Sequence, residues 1–291
     1  MKVRKAVITA AGRGTRFLPV TKSLSKEMIP LVDKPLIQNA VEEVVSSGIK
    51  RIVIIKSPGD EAIEDYFKPS PELESVLEQK GDTKRLQEVR RLSDMADISY
   101  VIQDNQLGLG HAVLMAEDII GHEPFAVLLP DDVVDSEVPV LTQMLGIYEQ
   151  YEANIVAIQR VSRQDTVKYG IIEPKSISER LHQVLHLVEK PEPDEAPSDL
   201  GVVGRYILMP QVFDILKRIP LGKNKEIQLT DALQLLLQQQ ALYAYEFEGV
   251  RYDAGTPLGW LKATVAFALK RPDIGQELRD YLRQILDTTP D

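Results

Sequence analysis

Two short apolar runs, Val3–Ala10 and Arg51–Lys56, bracket a stretch of helical period. Between them, Leu36, Ile37, Ala40, Val41, Val44 and Val45 fall on one face of a helix predicted over Pro35–Ser47, with Gly48 as its stop. Strand, helix and strand in this order make a β-α-β unit, with parallel strands and a right-handed crossover. No other feature constrains the chain as much. Parallel strands cannot be joined by a tight turn, so a helix must cross the face of the sheet.

The alternation continues. A short helix is predicted over Asp60–Phe67, and a charged helical hairpin broken at Gly81 over Pro71–Leu92. Then come a strand at Ile98–Gln103, a helix at Gly110–Ile119 and a strand at Phe125–Leu129 that ends at Pro130, Asp131 and Asp132. A helix over Val138–Tyr151 and a strand over Asn154–Arg160 follow. This pattern predicts an α/β fold with a doubly wound, mostly parallel mixed sheet. After Ser162 the texture changes. Tyr169–Glu173, Leu181–Glu189 and Leu200–Leu208 read as strands separated by polar turns, notably Lys190–Ser198 (KPEPDEAPS). Helices return over Pro210–Lys217, Ile227–Gln238, Pro257–Lys270 and 273–287. With no internal repeat and no linker, the chain reads as one domain over 1–291. Its first half covers about 1–160. A second half over 161–256 adds a small β-sheet, and 257–291 forms C-terminal helices.

The chain has no cysteine, which excludes zinc-thiolate sites, iron–sulfur clusters, disulfides and thiol catalysis. No window approaches the ~18 apolar residues of a membrane span. The apolar part of Met1–Ala10 is too short for a secretory signal. A cytoplasmic protein is therefore expected. The net charge of −10 argues against nucleic acid and anionic membranes as partners. Yet the first 26 residues carry seven basic side chains (Lys2, Arg4, Lys5, Arg13, Arg16, Lys22 and Lys26) and no acidic one. Such a segment suits a polyanionic small ligand. On charge alone, chance and a solvated face explain it better.

Ala10-Ala11-Gly12-Arg13-Gly14-Thr15-Arg16 follows the first strand directly. Its glycines let backbone approach a ligand, and successive N–H groups can cradle phosphate oxygens. No Gly-Lys-Ser/Thr follows, so it is not a Walker loop. Phe17 stands where the dinucleotide fingerprint needs its third glycine. Open α/β sheets bind ligands at this end of the first strand. Ser25-Lys26-Glu27-Met28-Ile29-Pro30-Leu31 and Asp33-Lys34-Pro35-Leu36 come next.

This pair of loops resembles the sugar-1-phosphate nucleotidyltransferases, and among them the bacterial UTP–glucose-1-phosphate uridylyltransferases, also called UDP-glucose pyrophosphorylases. Further landmarks follow in the family's order. They are Gln103 with Gly108-Leu109-Gly110-His111-Ala112, Leu129-Pro130-Asp131, Tyr169-Gly170, Val188-Glu189-Lys190-Pro191, Gly204-Arg205-Tyr206, Glu226-Ile227-Gln228-Leu229-Thr230-Asp231-Ala232 and Tyr252-Asp253-x-Gly255. The resemblance covers about residues 3–270.

The resemblance implies a Rossmann-like nucleotidyltransferase fold with a nucleotide-binding first half and a sugar-binding second half. It implies transfer of a uridylyl group from UTP to glucose 1-phosphate, Mg²⁺ as cofactor, and a homodimer or homotetramer. By the same resemblance Arg16 meets the β- and γ-phosphates and Lys26 the α-phosphate, while Lys190 grips the sugar phosphate. Ala10, Ala11, Gly12, Gly14 and Thr15 line the nucleotide, Gln103 and Gly108 meet the uracil, and Glu27 sits near the base. Glu189 accepts from sugar hydroxyls, and Gly170 and Gly204 let backbone close on the sugar ring. Asp131 and Asp253 are the implied metal ligands.

The residue chemistry is compatible with these roles. A triphosphate and a sugar phosphate in one cleft need cations. Arg16 and Lys26 on the two N-terminal loops can supply them, whereas Arg13 and Lys22 read as solvated charges. Asp131 ends the apolar strand FAVLLP, and a carboxylate there suits a hard ion that takes oxygen ligands. Asp132 is its rival. His182 and His186 share a zinc-like spacing, but they fall on a predicted strand with no third ligand in view.

Two alternatives stand beside the uridylyl reading. One is glucose-1-phosphate thymidylyltransferase. Pro71–Leu92 resembles a helical insert that the thymidylyl enzymes lack, whereas Asp253-Ala254-Gly255-Thr256 partly resembles their D-x-G-T turn. The other is a regulatory nucleotide-sugar-binding paralogue without catalysis. The presence of Arg16, Lys26, Asp131, Lys190 and Asp253 together opposes it.

Overall fold

The computed structural model describes residues 1–222 and 225–288. The first β-α-β unit is present. Strand β1 (Lys5–Ala10) is followed by a loop of short 3₁₀ turns and a small hairpin of β2 (Pro30–Leu31) and β3 (Lys34–Pro35). Helix α1 (Leu36–Ser46) then leads to β4 (Arg51–Lys56). Helix α2 (Ala62–Phe67) and the hairpin of α3 (Pro71–Gln79) and α4 (Thr83–Asp94) precede β5 (Asp97–Ile102). The hairpin turns at Gly81, whose φ of 67° lies in the left-handed region that glycine tolerates.

The helix expected over Gly110–Ile119 is two pieces, α5 (Leu109–Leu114) and α6 (Glu117–Ile120), joined through the fully buried Ala116. Next come β6 (Phe125–Leu128), β7 (Asp132–Asp135), α7 (Val140–Tyr151) and β8 (Asn154–Arg160). The second half contributes β9 (Gly170–Ser176), β10 (Leu181–Glu189), β11 (Leu200–Leu208), α8 (Val212–Leu216) and α9 (Leu229–Leu236). The chain then forms β12 (Leu242–Glu246), β13 (Val250–Asp253), α10 (Pro257–Lys270) and α11 (Gly275–Thr288).

Nine strands form one mixed sheet in the order β5-β4-β1-β6-β11-β8-β12-β10-β9. Seven run in one direction, and β11 and β10 oppose them. The strands of the second half therefore extend the central sheet. The small extra sheets are β2–β3 and β7–β13. A bridge between Gly201 and Ile171 brings β11 back to β9 and curls that end of the sheet.

Alternation along the strands builds a core on each face. Val7, Val53 and Val127 pack with α5, α8 and α9, for example through Ala112, Phe213 and Leu233. Ala6, Ile8, Ile52 and Ile54 face the other way, onto Ile37 and Val41 of α1 and Leu141 of α7. Each fully buried aliphatic side chain of this kind contributes about 1.5–3 kcal/mol relative to its exposed state. A third, smaller cluster of Leu31, Leu36, Val133, Ala254 and Ala263 seats α10 and the β7–β13 ribbon on the first half.

Helix α9 starts later than its periodicity suggests, because Ile227 is used as extended backbone. Its N–H donates to the Leu107 carbonyl at 2.6 Å, and its carbonyl accepts from Gly110 N–H at 2.8 Å. This clasp fastens the 103–110 loop to the second half. Strands β7, β12 and β13 have no counterpart in the sequence reading. The two histidines do lie on a strand, but a bulge between Val184 and His186 separates them, leaving His182 buried and His186 exposed. No helix among the described residues is long and apolar enough to cross a membrane.

Candidate active site

Strands β1, β4, β5 and β6 are parallel neighbours, so the loops after β1, β5 and β6 leave the sheet at one edge. They enclose a cleft of about 540 Å³. Ala11, Gly12, Thr15, Lys26, Glu27, Gln103, Gly108 and Asp131 line it, as the sequence suggested. Ala10 does not. It ends β1 at 1 % exposure and packs into the core. Gly14 shapes the loop from behind. Its φ is 61°, and a Cβ there would lie 3.0 Å from Thr21 Cγ2 and 3.1 Å from Lys26 Cβ. A Cβ at Gly12 would come within 3.2 Å of Lys26 Cε.

Lys26 Nζ stands 2.6 Å from Asp131 Oδ2 and 3.7 Å from Glu27 Oε1. Burial works against the Lys26 ammonium, but Asp131 and Glu27 more than reverse this and hold it above the ordinary lysine range. Burial also opposes the Asp131 carboxylate. The adjacent Lys26 outweighs it and holds the carboxyl below its usual range. Glu27 is different. It is 1 % exposed and neither of its oxygens has a hydrogen-bond partner. Burial pushes its carboxyl up to about 7 despite the pull of Lys26.

Asp253 reaches the same place from the far end of the chain. Strand β13 pairs antiparallel with β7, setting Asp253 opposite Asp132, and Ala254 N–H donates to the Asp131 carbonyl at 2.8 Å. A Cβ at Gly255 would lie 2.8 Å from Asp131 Oδ2 and 3.0 Å from Asp253 Oδ1. The two carboxylates therefore converge on a space that only glycine leaves open. Arg16 Nη1 approaches the Gly255 carbonyl at 3.5 Å from the N-terminal loop. Asp132 is no rival. Its Oδ1 is ion-paired with Arg251 and its Oδ2 accepts from Gly204 N–H at 2.6 Å.

Two hard oxygen donors beside this cleft fit a divalent ion that keeps several waters and takes phosphate oxygens as further ligands. Among the described residues no group of three or more histidine, cysteine or acidic side chains is placed to hold a metal by itself. The ion that fits is one whose remaining ligands come from substrate and water.

Gln103 is oriented by His111, whose Nδ1 lies 2.8 Å from the amide nitrogen. Burial keeps the His111 imidazole below its ordinary range, so Nδ1 is free to accept. The amide nitrogen also faces the Gly108 carbonyl at 3.4 Å. The Gln103 carbonyl oxygen remains for a ligand. The sequence reads Arg13 as a solvated charge, but Arg13 lines the cleft and donates to Gln106 Oε1 at 2.7 Å. Gln106 in turn donates to the Ala11 carbonyl at 2.7 Å and to Ser57 Oγ at 3.1 Å, tying the two loops together. No local pattern marks Gln106. Glu226, another cleft residue, sits inside a segment that was singled out only as a landmark.

In the second half, Gly170, Glu189 and Thr230 meet. A Cβ at Gly170 would lie 3.0 Å from Thr230 Oγ1 and 3.6 Å from Glu189 Oε2. Lys190 follows with a φ of 48°, its N–H held by the Tyr169 carbonyl at 2.9 Å and its Nζ 2.7 Å from Glu189 Oε1. Gly204 differs from expectation. The space beside it is filled by Asp132 and Leu129, and its carbonyl already accepts from Leu129 N–H at 2.9 Å. Its lack of a side chain makes room for protein rather than for a sugar.

The family model described as "Nucleotidyl transferase" matches residues 5–269. A UTP–glucose-1-phosphate uridylyltransferase of Bacillus subtilis is 47 % identical over 286 residues, covering 98 % of this chain and 98 % of that protein. A UTP-bound UGPase structure from Acinetobacter baumannii superposes with a TM-score of 0.90 at 37 % identity, covering 99 % of this chain and 100 % of the other. A crystal structure of a UDP-glucose pyrophosphorylase complexed with UDP-glucose gives a TM-score of 0.86 at 42 % identity, over 92 % of this chain and 100 % of the other.

Proposed function

The chain belongs to the nucleotidyl transferase family, and we propose that it transfers the uridylyl group of UTP to glucose 1-phosphate, giving UDP-glucose and pyrophosphate. The observation that carries this reading is that Lys26 and Asp131 pair in a cleft that Gln103 also lines, with Asp253 brought beside Asp131 at Gly255.

In the reaction, a phosphate oxygen of glucose 1-phosphate attacks the α-phosphorus of UTP. The bond from that phosphorus to the bridging oxygen of pyrophosphate breaks in line. A phosphate monoester has a second pKa of about 6, so the nucleophile is already ionised at neutral pH and no general base is needed. Rate then comes from positioning and from charge stabilisation. Lys26 neutralises the α-phosphate, Arg16 the departing phosphates and Lys190 the sugar phosphate, with Glu189 and Gly170 beside the hexose. Asp131 and Asp253 are the residues that would hold Mg²⁺. When bound, that ion supplies Lewis-acid neutralisation of phosphate charge.

The Gln103 carbonyl oxygen supports selection of the base. Uracil offers an N–H at N3, whereas cytosine offers a lone pair there, which would oppose that oxygen. The α3–α4 hairpin, the helical insert expected of uridylyl enzymes, is present. We read the protein as a cytoplasmic homodimer or homotetramer. The exposed Leu258 and Leu261 of α10 and Tyr281 and Leu286 of α11 support assembly through the C-terminal helices.

The test is pyrophosphate release with glucose 1-phosphate and Mg²⁺, comparing UTP, dTTP, CTP, ATP and GTP. Strong preference for UTP is expected. Preference for dTTP would move the protein to the thymidylyl enzymes. UDP-glucose binding without turnover on any nucleotide would make it a binding protein. Lys190→Ala is expected to lower turnover by orders of magnitude while leaving the fold intact, and near-normal activity would refute its role.

A further inference from the structure

One buried guanidinium bridges the Asp131–Asp132 turn and Tyr169, the residue before Gly170. Arg251 lies two residues before Asp253, on β13. Its side chain is 8 % exposed and pairs with Asp132, itself 9 % exposed and adjacent to Asp131. Its Nη1 donates to the Tyr169 hydroxyl at 3.0 Å, and its guanidinium stands over the Tyr169 ring, 5.3 Å from the centroid. Tyr169 precedes Gly170, and its carbonyl accepts the N–H of Lys190 at 2.9 Å. Tyr169 also has a fixed seat. A Cβ at Gly201 would come within 3.2 Å of Tyr169 Cβ and Cγ, so only glycine lets β11 close on it.

These contacts form a chain from one half of the site to the other. Asp131 is set by Asp132, Asp132 by Arg251 and Gly204, and Lys190 by the Tyr169 that Arg251 holds. Lys190 has a backbone conformation that a side-chain-bearing residue rarely adopts. It therefore depends on outside contacts for its placement. A lysine at position 251 could pair with Asp132 but could not also span to Tyr169, because the planar fork is what makes both contacts at once.

We propose that Arg251 is a positioning residue of the transfer reaction, holding the Asp131–Asp253 pair and the Tyr169–Lys190 loop at a fixed separation so that the sugar phosphate meets the α-phosphorus in line. This rests on the uridylyl-transfer reading above. The guanidinium touches no substrate. It acts through Asp132 and Tyr169, and its loss misplaces groups rather than removing them.

Two conservative variants test this in the full chain, Arg251→Lys and Tyr169→Phe. Each is measured for kcat, for KM toward each substrate, for UDP-glucose affinity by calorimetry, and for melting temperature. A displacement on the order of 1 Å can cost about 100-fold in rate. Arg251→Lys is therefore expected to lower kcat by about 10- to 100-fold and to raise the KM for glucose 1-phosphate. The KM for UTP should stay within about 2-fold. UDP-glucose should bind more weakly. Tyr169→Phe keeps the Asp132 pair and the ring, and should show the same split in smaller measure with an unchanged melting temperature. Should Arg251→Lys fail to fold, Tyr169→Phe decides alone. An unchanged kcat and unchanged glucose 1-phosphate KM in the folded variants, alongside an active parent, would overturn the proposal and leave the functional reading standing. A parent chain that transfers nothing from UTP would overturn both.

Discussion

Lys26 Nζ lies 2.6 Å from Asp131 Oδ2, so the cation proposed to meet the α-phosphate and one of the two converging acids neutralise each other across the cleft. The two side chains come from the loop after β1 and the turn after β6. Each remains about a fifth exposed, at 21 %, so the pair is open to exchange with an incoming ligand. On the uridylyl-transfer proposal, an entering phosphate would take up the ammonium and free the carboxylate.

Asp131→Asn keeps the shape and removes the charge. Turnover is expected to fall by at least about 100-fold, the scale of losing one stabilising group at a reacting centre. The partial exposure limits the stability cost, and the melting temperature should move by only a few degrees. Pyrophosphate release and differential scanning fluorimetry on one preparation check both. Activity near that of the parent would remove Asp131 from the reaction.

Gly255→Ala tests the space between the two acids. The new methyl would stand 2.8 Å from Asp131 Oδ2 and 3.0 Å from Asp253 Oδ1, closer than ordinary contact. The carboxylates must part to admit it. The expected result is loss of most activity and a several-fold rise in the Mg²⁺ needed for half-maximal rate. A variant with the parent's metal dependence would show that the two acids need not converge.

Glu27 predicts a pH dependence with a definite sign. Its carboxyl is raised to about 7 in the folded protein by burial, with Lys26 opposing and Asp131 and Asp60 reinforcing the shift. Between the ordinary carboxylate range and about pH 7 the folded state therefore holds more protons than the unfolded one. Stability from this group is full below about pH 4.5 and is lost as the pH rises through about 7. The total is on the order of 3 kcal/mol. Glu27→Gln removes the titration, so its melting temperature should fall less than the parent's between about pH 5 and about pH 8. Parallel profiles would show that Glu27 titrates as an ordinary carboxyl.

Arg205 is a prediction about stability. It is buried and paired with Glu43 at 2.7 Å, and it also donates to the carbonyls of Leu129 at 3.0 Å, Gly204 at 2.9 Å and Asp132 at 2.8 Å. Arg205→Met leaves the Glu43 carboxylate without its partner, at a cost of about 3–5 kcal/mol. Adding Glu43→Leu should recover a measurable part of that loss, because the unpaired charge disappears. Urea unfolding of the two variants gives the comparison. No recovery in the double variant would assign the loss to packing alone.

Part of this site could be read without coordinates. The loops at Gly12–Arg16 and Lys26–Pro30 follow a strand whose apolar run is unmistakable, and a cationic loop at a strand's carboxyl end is a local pattern. Gly12, Thr15, Lys26 and Glu27 of those loops line the cleft, whereas Gln103 and Gly108 are given only by the family resemblance. Gln106 and Arg251 could not be found the same way. Each lies in a stretch with no periodicity of its own, and each matters through partners far along the chain, Ala11 and Ser57 for one, Asp132 and Tyr169 for the other. Gly204 shows the converse. Its place in a motif suggested a sugar, yet Asp132 and Leu129 occupy the space.

By itself the sequence determined the β-α-β beginning, the helices on both faces of the sheet and the chemistry available in the loops. Those follow from periodicity and residue type, which act over a few neighbouring positions. Only the tertiary structure decided which of two adjacent acids faces the cleft. Asp131 and Asp132 differ by one step along the chain, but Arg251 and Gly204 claim Asp132, and Gly255 opens the space in front of Asp131. That choice depends on β13 pairing antiparallel with β7 across about 120 residues. A strand's local pattern sets which face it buries. It does not set which distant strand it will meet.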